Sequence, residues 1–262
     1  MGGEKGIIVK TPVQIEIMRQ ANRIAAGALK MLEENMCPGL TTMQMDRWAE
    51  EYCRDHGAEP AFRGYRGFPG NLCVSVNEVV VHGIASKKNR VREGDIVSID
   101  FGTLFKGFYG DSAITVPVGN ISAKHKHLLD VTRQALELGI QQVRVGNRIA
   151  DISKAIQNHA ESHGYSVVRE FVGHGIGSNL HEGPEVPNYI QNDKPSPRIV
   201  EGMVLAIEPM VNAGTHKVKV LKDGWTVVTA DRRLSAHFEH SVAATAAGPL
   251  VLSRREGETV AA

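Results

Sequence analysis

Apolar residues recur every three or four positions over the first 56 residues, a pattern typical of helices that bury one face. The first run begins after Thr11-Pro12, which supplies an N-cap and a first-turn proline, and it stops at Pro38-Gly39. A second run covers residues 42–56. The pattern therefore predicts two helices before any strand.

Segments of strand length follow, and then the helical pattern returns. The first strand-like segments are residues 72–76, 79–81, 96–101 and 108–118. Two further helices are predicted over residues 122–145 and 150–163. The last strand-like segments are residues 167–172, 204–207, 225–229, 238–244 and 251–252. Helices followed by strands, twice over, favour an α+β fold.

Two pairs of segments repeat at nearly one separation. Residues 39–57 and 146–164 both enclose a helical pattern and end in His-Gly, at an offset of 107. Residues 93–100 (EGDIVSID) match residues 201–208 (EGMVLAIE) at an offset of 108. Either match alone is what two generic αβ units would give, but two at one offset favour a duplication.

We therefore expect a single domain with a pseudo-twofold axis and an antiparallel-rich sheet covered by helices. Its halves would be about residues 10–119 and 120–252, with tails at residues 1–9 and 253–262. Composition agrees with one folded domain, because 42% of residues are apolar and 23% are charged.

Charge and cysteine content narrow the class of protein. The formal net charge of +1 argues against a DNA partner and against binding to a membrane surface. No apolar run approaches the roughly 18–20 residues that span a bilayer, and no secretory signal is recognisable. The three cysteines lack CxxC spacing. We expect a cytoplasmic protein.

Acidic residues lie at equivalent positions of the two repeats. Asp100 and Glu208 each end an apolar strand, where a buried carboxylate is costly unless its charge is compensated. Asp111 and Glu239 lie in other strand-like segments, and His174 stands between two glycines. Taken singly, each is more typical of a turn, a cap or a structural histidine. Converging carboxylates would require divalent cations.

Five motifs together are more specific than these single residues. They are VSIDFG (97–102), GDSA (110–113), GHGIG (173–177), AIEP (206–209) and SAHFEH (235–240). In this order they resemble the methionine aminopeptidases, in the compact bacterial type I form, over about residues 10–252. The resemblance implies the pseudo-symmetric pita-bread fold.

The resemblance also implies a dinuclear metal site. Asp100, Asp111, His174, Glu208 and Glu239 would hold two divalent ions, with Asp111 and Glu239 bridging. Oxygen and imidazole donors suit Co²⁺, Mn²⁺ or Fe²⁺. The implied activity is that of a hydrolase, a monomeric metalloprotease that removes the initiator methionine from nascent proteins whose second residue is small. Hydroxide bound between the metals would attack the first peptide bond.

Other residues receive roles from the same resemblance. Glu208 would transfer a proton, His181 would hydrogen-bond the tetrahedral intermediate, and His82 would contact the scissile amide. The apolar slot for methionine would be formed by Phe62, Tyr65, Phe68, Cys73 and Trp225. This chain departs from many bacterial relatives in its large Phe62, and in Leu180 where an aromatic is frequent.

Two alternatives stay open at this stage. Proline dipeptidases and aminopeptidase P share all five ligands, but they usually carry a large additional N-terminal domain. A non-catalytic binding module could keep the fold, although such proteins lose ligands. The basic cluster Lys87, Lys88, Arg90 and Arg92 is either a solvated loop or a transient contact with the ribosome.

Overall fold

The computed structural model describes residues 6–258, and its helices confirm the predicted pairs. They are α1 (Pro12–Glu34), α2 (Thr42–Asp55), α3 (Ala123–Ile140) and α4 (Ile149–Ser162). Thr11 and Gln14 form the expected capping box at the start of α1. Helix α3 ends five residues earlier than predicted, because the amides of Gln142 and Val143 turn back to bond Gly139 and Ile140.

The strands of the described chain are β1 (Glu59–Pro60), β2 (Cys73–Val76), β3 (Val79–Val81), β4 (Ile96–Phe105), β5 (Phe108–Pro117), β6 (Ser166–Val167), β7 (Gly173–Gly175), β8 (Glu182–Val186), β9 (Val204–Ile207), β10 (Met210–Asn212), β11 (Val218–Val220), β12 (Val227–Thr229), β13 (Ser235–His237), β14 (Glu239–Thr245) and β15 (Gly248–Val251). The pairings between these strands are antiparallel. The expectation of an antiparallel-rich sheet is confirmed.

The main sheet shows the predicted duplication. Its strand order is β1-β4-β5-β14-β9-β7-β8, so β5 and β14 meet at the centre with β4 and β9 as their outer neighbours. Helix α1 packs on β4 and β5 of the first half, and α3 packs against β9 and β14 of the second. The apolar core lies between these helices and the sheet. No helix within residues 6–258 is long and apolar enough to cross a membrane.

One predicted strand is much shorter in the structure, and one change of sheet was not predicted. The strand predicted over residues 238–244 is confirmed as β14 (Glu239–Thr245), which joins the main sheet, whereas the preceding β13 was not predicted and pairs with β10 in a second sheet. The strand predicted over residues 167–172 ends at Val167, after which residues 169–171 bend. Apolar alternation alone does not show which sheet a strand joins.

The β4–β5 hairpin brings the two aspartates onto one face. Its turn is only Lys106-Gly107, both with positive φ, so Phe105 pairs with Phe108. Asp100 then faces Ala113, which is two residues along β5 from Asp111. Side chains two positions apart on a strand share a face. Asp100 and Asp111 are therefore diagonal neighbours on the same side of the sheet.

The chain segments at both ends of the described region contact the body of the protein. Ile7 forms a bridge with Gly183, and the amide of Lys10 donates to the carbonyl of Gly202. At the other end, the Ser253 hydroxyl lies 2.8 Å from Nδ1 of His240. These segments pack beside the strands that carry the predicted ligands.

Candidate metal centre

The five predicted metal ligands occupy five neighbouring strands of the main sheet. Asp100 lies on β4, Asp111 on β5, Glu239 at the start of β14, Glu208 directly after β9, and His174 on β7. All five line one cavity of about 130 Å³. Residues that are up to 139 positions apart in the chain, from Asp100 to Glu239, are thus brought together by strand order.

Three of these side chains form a compact group of possible ligand atoms. Asp111, His174 and Glu239 are buried and each offers a ligand atom, all within 4.8 Å of one another. His174 Nε2 also lies 3.5 Å from Glu208 Oε1. His174 Nδ1 is 2.9 Å from the Gly175 carbonyl and donates to it, which orients Nε2 toward the carboxylates.

The carboxyl groups of the site are shielded from solvent, and this raises their pKa values. Burial, followed by repulsion from neighbouring carboxylates, raises the pKa of Asp100, Glu208 and Glu239 well above their usual range. Burial raises the pKa of Asp111 to about 7. Without a counter-charge, the site therefore retains protons that ordinary carboxyl groups lose.

Buried atoms with no polar contact show that the site fits cations. Asp100 Oδ1, Asp111 Oδ1 and Glu239 Oε1 are buried and have no hydrogen-bond partner within the described chain. Such oxygens are costly unless something binds them. Among the described residues, the group of possible ligand atoms within 4.8 Å of one another contains two carboxylates and an imidazole and no thiol. Oxygen and imidazole donors remain, a set that suits divalent Mn, Fe or Co.

Reciprocal hydrogen bonds hold the two central strands in register. The Ser112 hydroxyl donates to the Glu239 carbonyl at 2.8 Å, and the Ser241 hydroxyl donates to the Asp111 carbonyl at 2.9 Å. Each bond joins a serine of one half to the backbone of a predicted ligand in the other. The two halves of the fold thus make equivalent hydrogen bonds at the predicted ligands.

A buried asparagine on α1 also contacts the site, and sequence reasoning missed it. Asn22 Oδ1 accepts the Asp111 amide at 3.2 Å, while its Nδ2 donates to the Met18 carbonyl. Helix α1 comes this close because Gly110 has no side chain. A Cβ at this position would lie 2.6 Å from the backbone nitrogen of Asn22. The sequence did contain a signal for this contact, because Asn22 is a polar residue on the apolar face of α1.

We expect Asn22→Ala to lower the free energy of unfolding by about 1–3 kcal/mol, because the Asp111 amide loses its acceptor in a buried place. Metal affinity should fall by roughly 10-fold, as for other groups that orient ligands. Asn35→Ala is the matched control, since Asn35 makes the same bond to the residue four positions earlier at the exposed end of α1. Denaturant unfolding and metal titration would measure both; equal effects in the two variants would contradict this role.

The two histidines predicted to act on substrate both line the cavity. His181 stacks on Tyr65 with ring centroids 5.2 Å apart, and it contacts His174 in a tilted arrangement with centroids 4.1 Å apart. His82 has a φ of 58°, which is unusual for a residue other than glycine and typical of functional sites. Burial lowers the pKa of His82 to about 4, so its ring is neutral near pH 7.

The residues predicted to form the methionine slot lie together in an apolar cluster beside the carboxylates. Phe68 and Trp225 meet edge to face at 5.2 Å, and Cys73 pairs with Asp100 across β2 and β4. The cavity wall includes every predicted slot residue, namely Phe62, Tyr65, Phe68, Cys73 and Trp225, together with Leu180 and Arg66. The large Phe62 and Leu180 are both buried in this cluster.

Two further residues lie at the site although the sequence analysis predicted no function for them. Arg66 lines the cavity although it follows a slot residue in an exposed turn. His237 is buried, and its Nε2 lies 3.9 Å from Glu208 Oε2. Burial, and then the charge of His82, lower the pKa of His237 to about 3, so it is a neutral neighbour of Glu208. Its place within the SAHFEH motif was the signal for it.

Similar proteins share both this fold and the sequence. Methionine aminopeptidase 1 of Bacillus subtilis is 50% identical over 248 residues, which cover 95% of this chain and 99% of that protein. Methionine aminopeptidase from Thermotoga maritima superposes with a TM-score of 0.93 at 42% identity, covering 95% and 100% of the two chains. Prolidase from Pyrococcus furiosus, at 24% identity, shows likeness of fold alone, with a TM-score of 0.76 over 95% of this chain and 66% of that one.

A model of metallopeptidase family M24 matches residues 16–246 of this chain. The chain therefore belongs to metallopeptidase family M24, whose pita-bread fold it has. Within that family, identity near half of all positions places it among the methionine aminopeptidases. It is a metal-dependent aminopeptidase, and the fold and enzyme class expected from the sequence are confirmed.

Proposed function

We propose that this enzyme removes the initiator methionine from nascent proteins whose second residue is small, by metal-assisted attack of hydroxide on the first peptide bond. The observation that carries the proposal is one cavity that joins five metal-ligand side chains to an apolar slot. Two divalent ions, when bound, would ionise a water near neutral pH and polarise the scissile carbonyl. Asp100, Asp111, His174, Glu208 and Glu239 would hold these ions.

The protein's own residues supply the remaining steps. Glu208, between His174 and His237, accepts the proton of the attacking water and returns it to the leaving amine. His181 donates a hydrogen bond to the oxygen of the tetrahedral intermediate. His82, whose ring is neutral near pH 7, contacts the scissile amide.

Methionine is selected by the slot of aromatic and sulfur side chains. Phe62, Phe68 and Cys73 are buried around it, while Tyr65 and Trp225 are part-exposed at its mouth. A flexible thioether fits such a slot, and its sulfur gains from contact with aromatic rings. One apolar slot separates similar side chains by only about 1–3 kcal/mol, so leucine and norleucine should be poor rather than excluded substrates.

Peptide turnover tests the proposed function directly. The metal-loaded enzyme should release methionine from Met-Ala-Ser, act far more slowly on Met-Leu-Ser, and leave Ala-Pro intact. Chromatography of the products gives kcat/KM for each peptide. Preference for the Xaa-Pro dipeptide would favour the prolidase alternative, and no turnover of any peptide after metal loading would favour a non-catalytic module.

A transient contact with the ribosome fits a substrate that emerges from it. Lys87, Lys88 and Arg90 lie in an exposed loop before β4 with Arg92, a cluster suited to RNA phosphates. Replacing all four with alanine should weaken sedimentation with ribosomes at physiological salt and leave Met-Ala-Ser turnover unchanged. A matched variant at the exposed Lys154 and Lys194 is the control. Unchanged ribosome affinity in the four-residue variant would favour the solvated loop.

A further inference from the structure

The chain segment before α1 contacts the loop that carries His181. Ile7 forms a bridge with Gly183, and the Lys10 amide donates to the Gly202 carbonyl at 2.8 Å. These two contacts attach the segment to the turn before β9 and to the end of the loop formed by residues 177–183, which we call the His181 loop. The segment is thus placed to act on the loop from outside the cavity.

Lys10 reaches into the His181 loop and forms a buried ion pair there. Its Nζ lies 2.6 Å from Glu182 Oε2 and also donates to the Ile8 carbonyl at 2.8 Å. The two side chains are only 3% and 1% exposed, so neither charge is compensated by solvent. The lysine passes where Gly177 lacks a side chain, since a Cβ there would lie 2.4 Å from Lys10 Cε.

Glu182 connects this ion pair to the backbone around His181. Its second oxygen, Oε1, accepts a hydrogen bond from the Asn179 amide at 3.0 Å. One carboxylate therefore binds Lys10 with one oxygen and the backbone two residues before His181 with the other. Leu180 is buried on one side of His181, and Glu182 begins β8 on the other. His181 therefore has little freedom to move unless Glu182 moves.

We propose that Lys10 is a positioning residue, which acts through Glu182 to hold His181 against His174 and Tyr65 in its catalytic orientation. The proposal rests on the proposed function in taking His181 as the group that stabilises the tetrahedral intermediate. The N-terminal segment is then part of the active-site support.

Removing one partner of a buried ion pair leaves an uncompensated charge. In Lys10→Met the Glu182 carboxylate turns toward solvent, releases the Asn179 amide and carries His181 with it. In the double variant Lys10→Met/Glu182→Gln the charge is gone, but the amide oxygen still accepts from Asn179. The double variant should therefore recover most of what the single variant loses.

The test compares the two variants with Arg254→Met, which similarly strands the buried Glu137 in an ion pair outside the cavity. We expect kcat for Met-Ala-Ser to fall about 10–100-fold in Lys10→Met, with KM changed less than about threefold, and to recover in the double variant. Inhibition by a methionine phosphonate, which mimics the tetrahedral centre, should weaken with kcat, while inhibition by methionine stays constant. Arg254→Met should lose thermal stability and keep kcat.

A readout without turnover separates this proposal from the proposed function. NMR of histidine ring signals in metal-loaded protein should show His181 displaced in Lys10→Met and restored in the double variant, whether or not Met-Ala-Ser is the substrate. An unshifted His181 signal, or a kcat loss no greater than in Arg254→Met at equal thermal stability, overturns the proposal.

Discussion

His174→Ala and Asp111→Asn are each expected to abolish metal-dependent hydrolysis while the fold survives. His174 and Asp111 belong to the group whose ligand atoms lie within 4.8 Å, so each change removes a donor from the centre of the site. A loss of about 4 kcal/mol of transition-state stabilisation corresponds to a rate decrease of roughly 10³-fold. Single-turnover assays after metal loading, with circular dichroism to verify folding, would measure it.

His127→Ala is the matched control for the histidine. Its ring contacts the Tyr165 hydroxyl at 2.8 Å and does not line the cavity, so activity should be retained. Asp111→Asn keeps the shape of the side chain and removes its charge, so a loss there isolates electrostatics from packing. Full activity in either ligand variant would rule out the site as assigned.

Metal removal is expected to reverse the pH dependence of stability as well as abolish activity. In the metal-free protein the raised pKa values mean that the folded carboxyl groups bind protons more tightly than the unfolded ones. The stability that they contribute is complete below the unfolded pKa of about 4 and is lost as pH rises through the folded values, about 7 for Asp111. Metal-free protein should therefore melt at a lower temperature at pH 8 than at pH 5.5.

Bound cations should reverse the dependence of melting temperature on pH. Protons compete with metal for the same oxygens, so the rise in melting temperature on adding Mn²⁺ or Co²⁺ should be larger at pH 8 than at pH 5.5. Differential scanning calorimetry of chelated and reloaded samples would measure this, together with recovery of Met-Ala-Ser turnover. Adding Mg²⁺ at equal concentration is the control for ionic strength. Equal pH slopes with and without metal would contradict a carboxylate-rich metal centre.

The duplication was the part of the fold that the sequence predicted best. Its two repeats correctly assigned Asp100 and Glu208 to equivalent strands, β4 and β9, on either side of the central pair, although Glu208 directly follows its strand as predicted and Asp100 lies within β4, which continues to Phe105. The exchange of sheets at Phe238 was not predicted, because the order of residue types does not show that β13 pairs with β10 while β14 pairs with β9. The pattern of apolar residues predicts which residues are buried, but it does not show which other strand pairs with a given strand.

The sequence by itself determined the helices, the pseudo-symmetric halves and the chemical types of the predicted ligands, because capping residues, periodicity and motifs are local signals. Only the tertiary structure decided which distant groups support them. Asn22 contacts the Asp111 amide because Gly110 lets α1 approach, and Lys10 contacts Glu182 because the segment from Ile7 to Lys10 packs against the His181 loop. Both contacts join residues at least 89 positions apart, so their stabilisation depends on packing that no local pattern records.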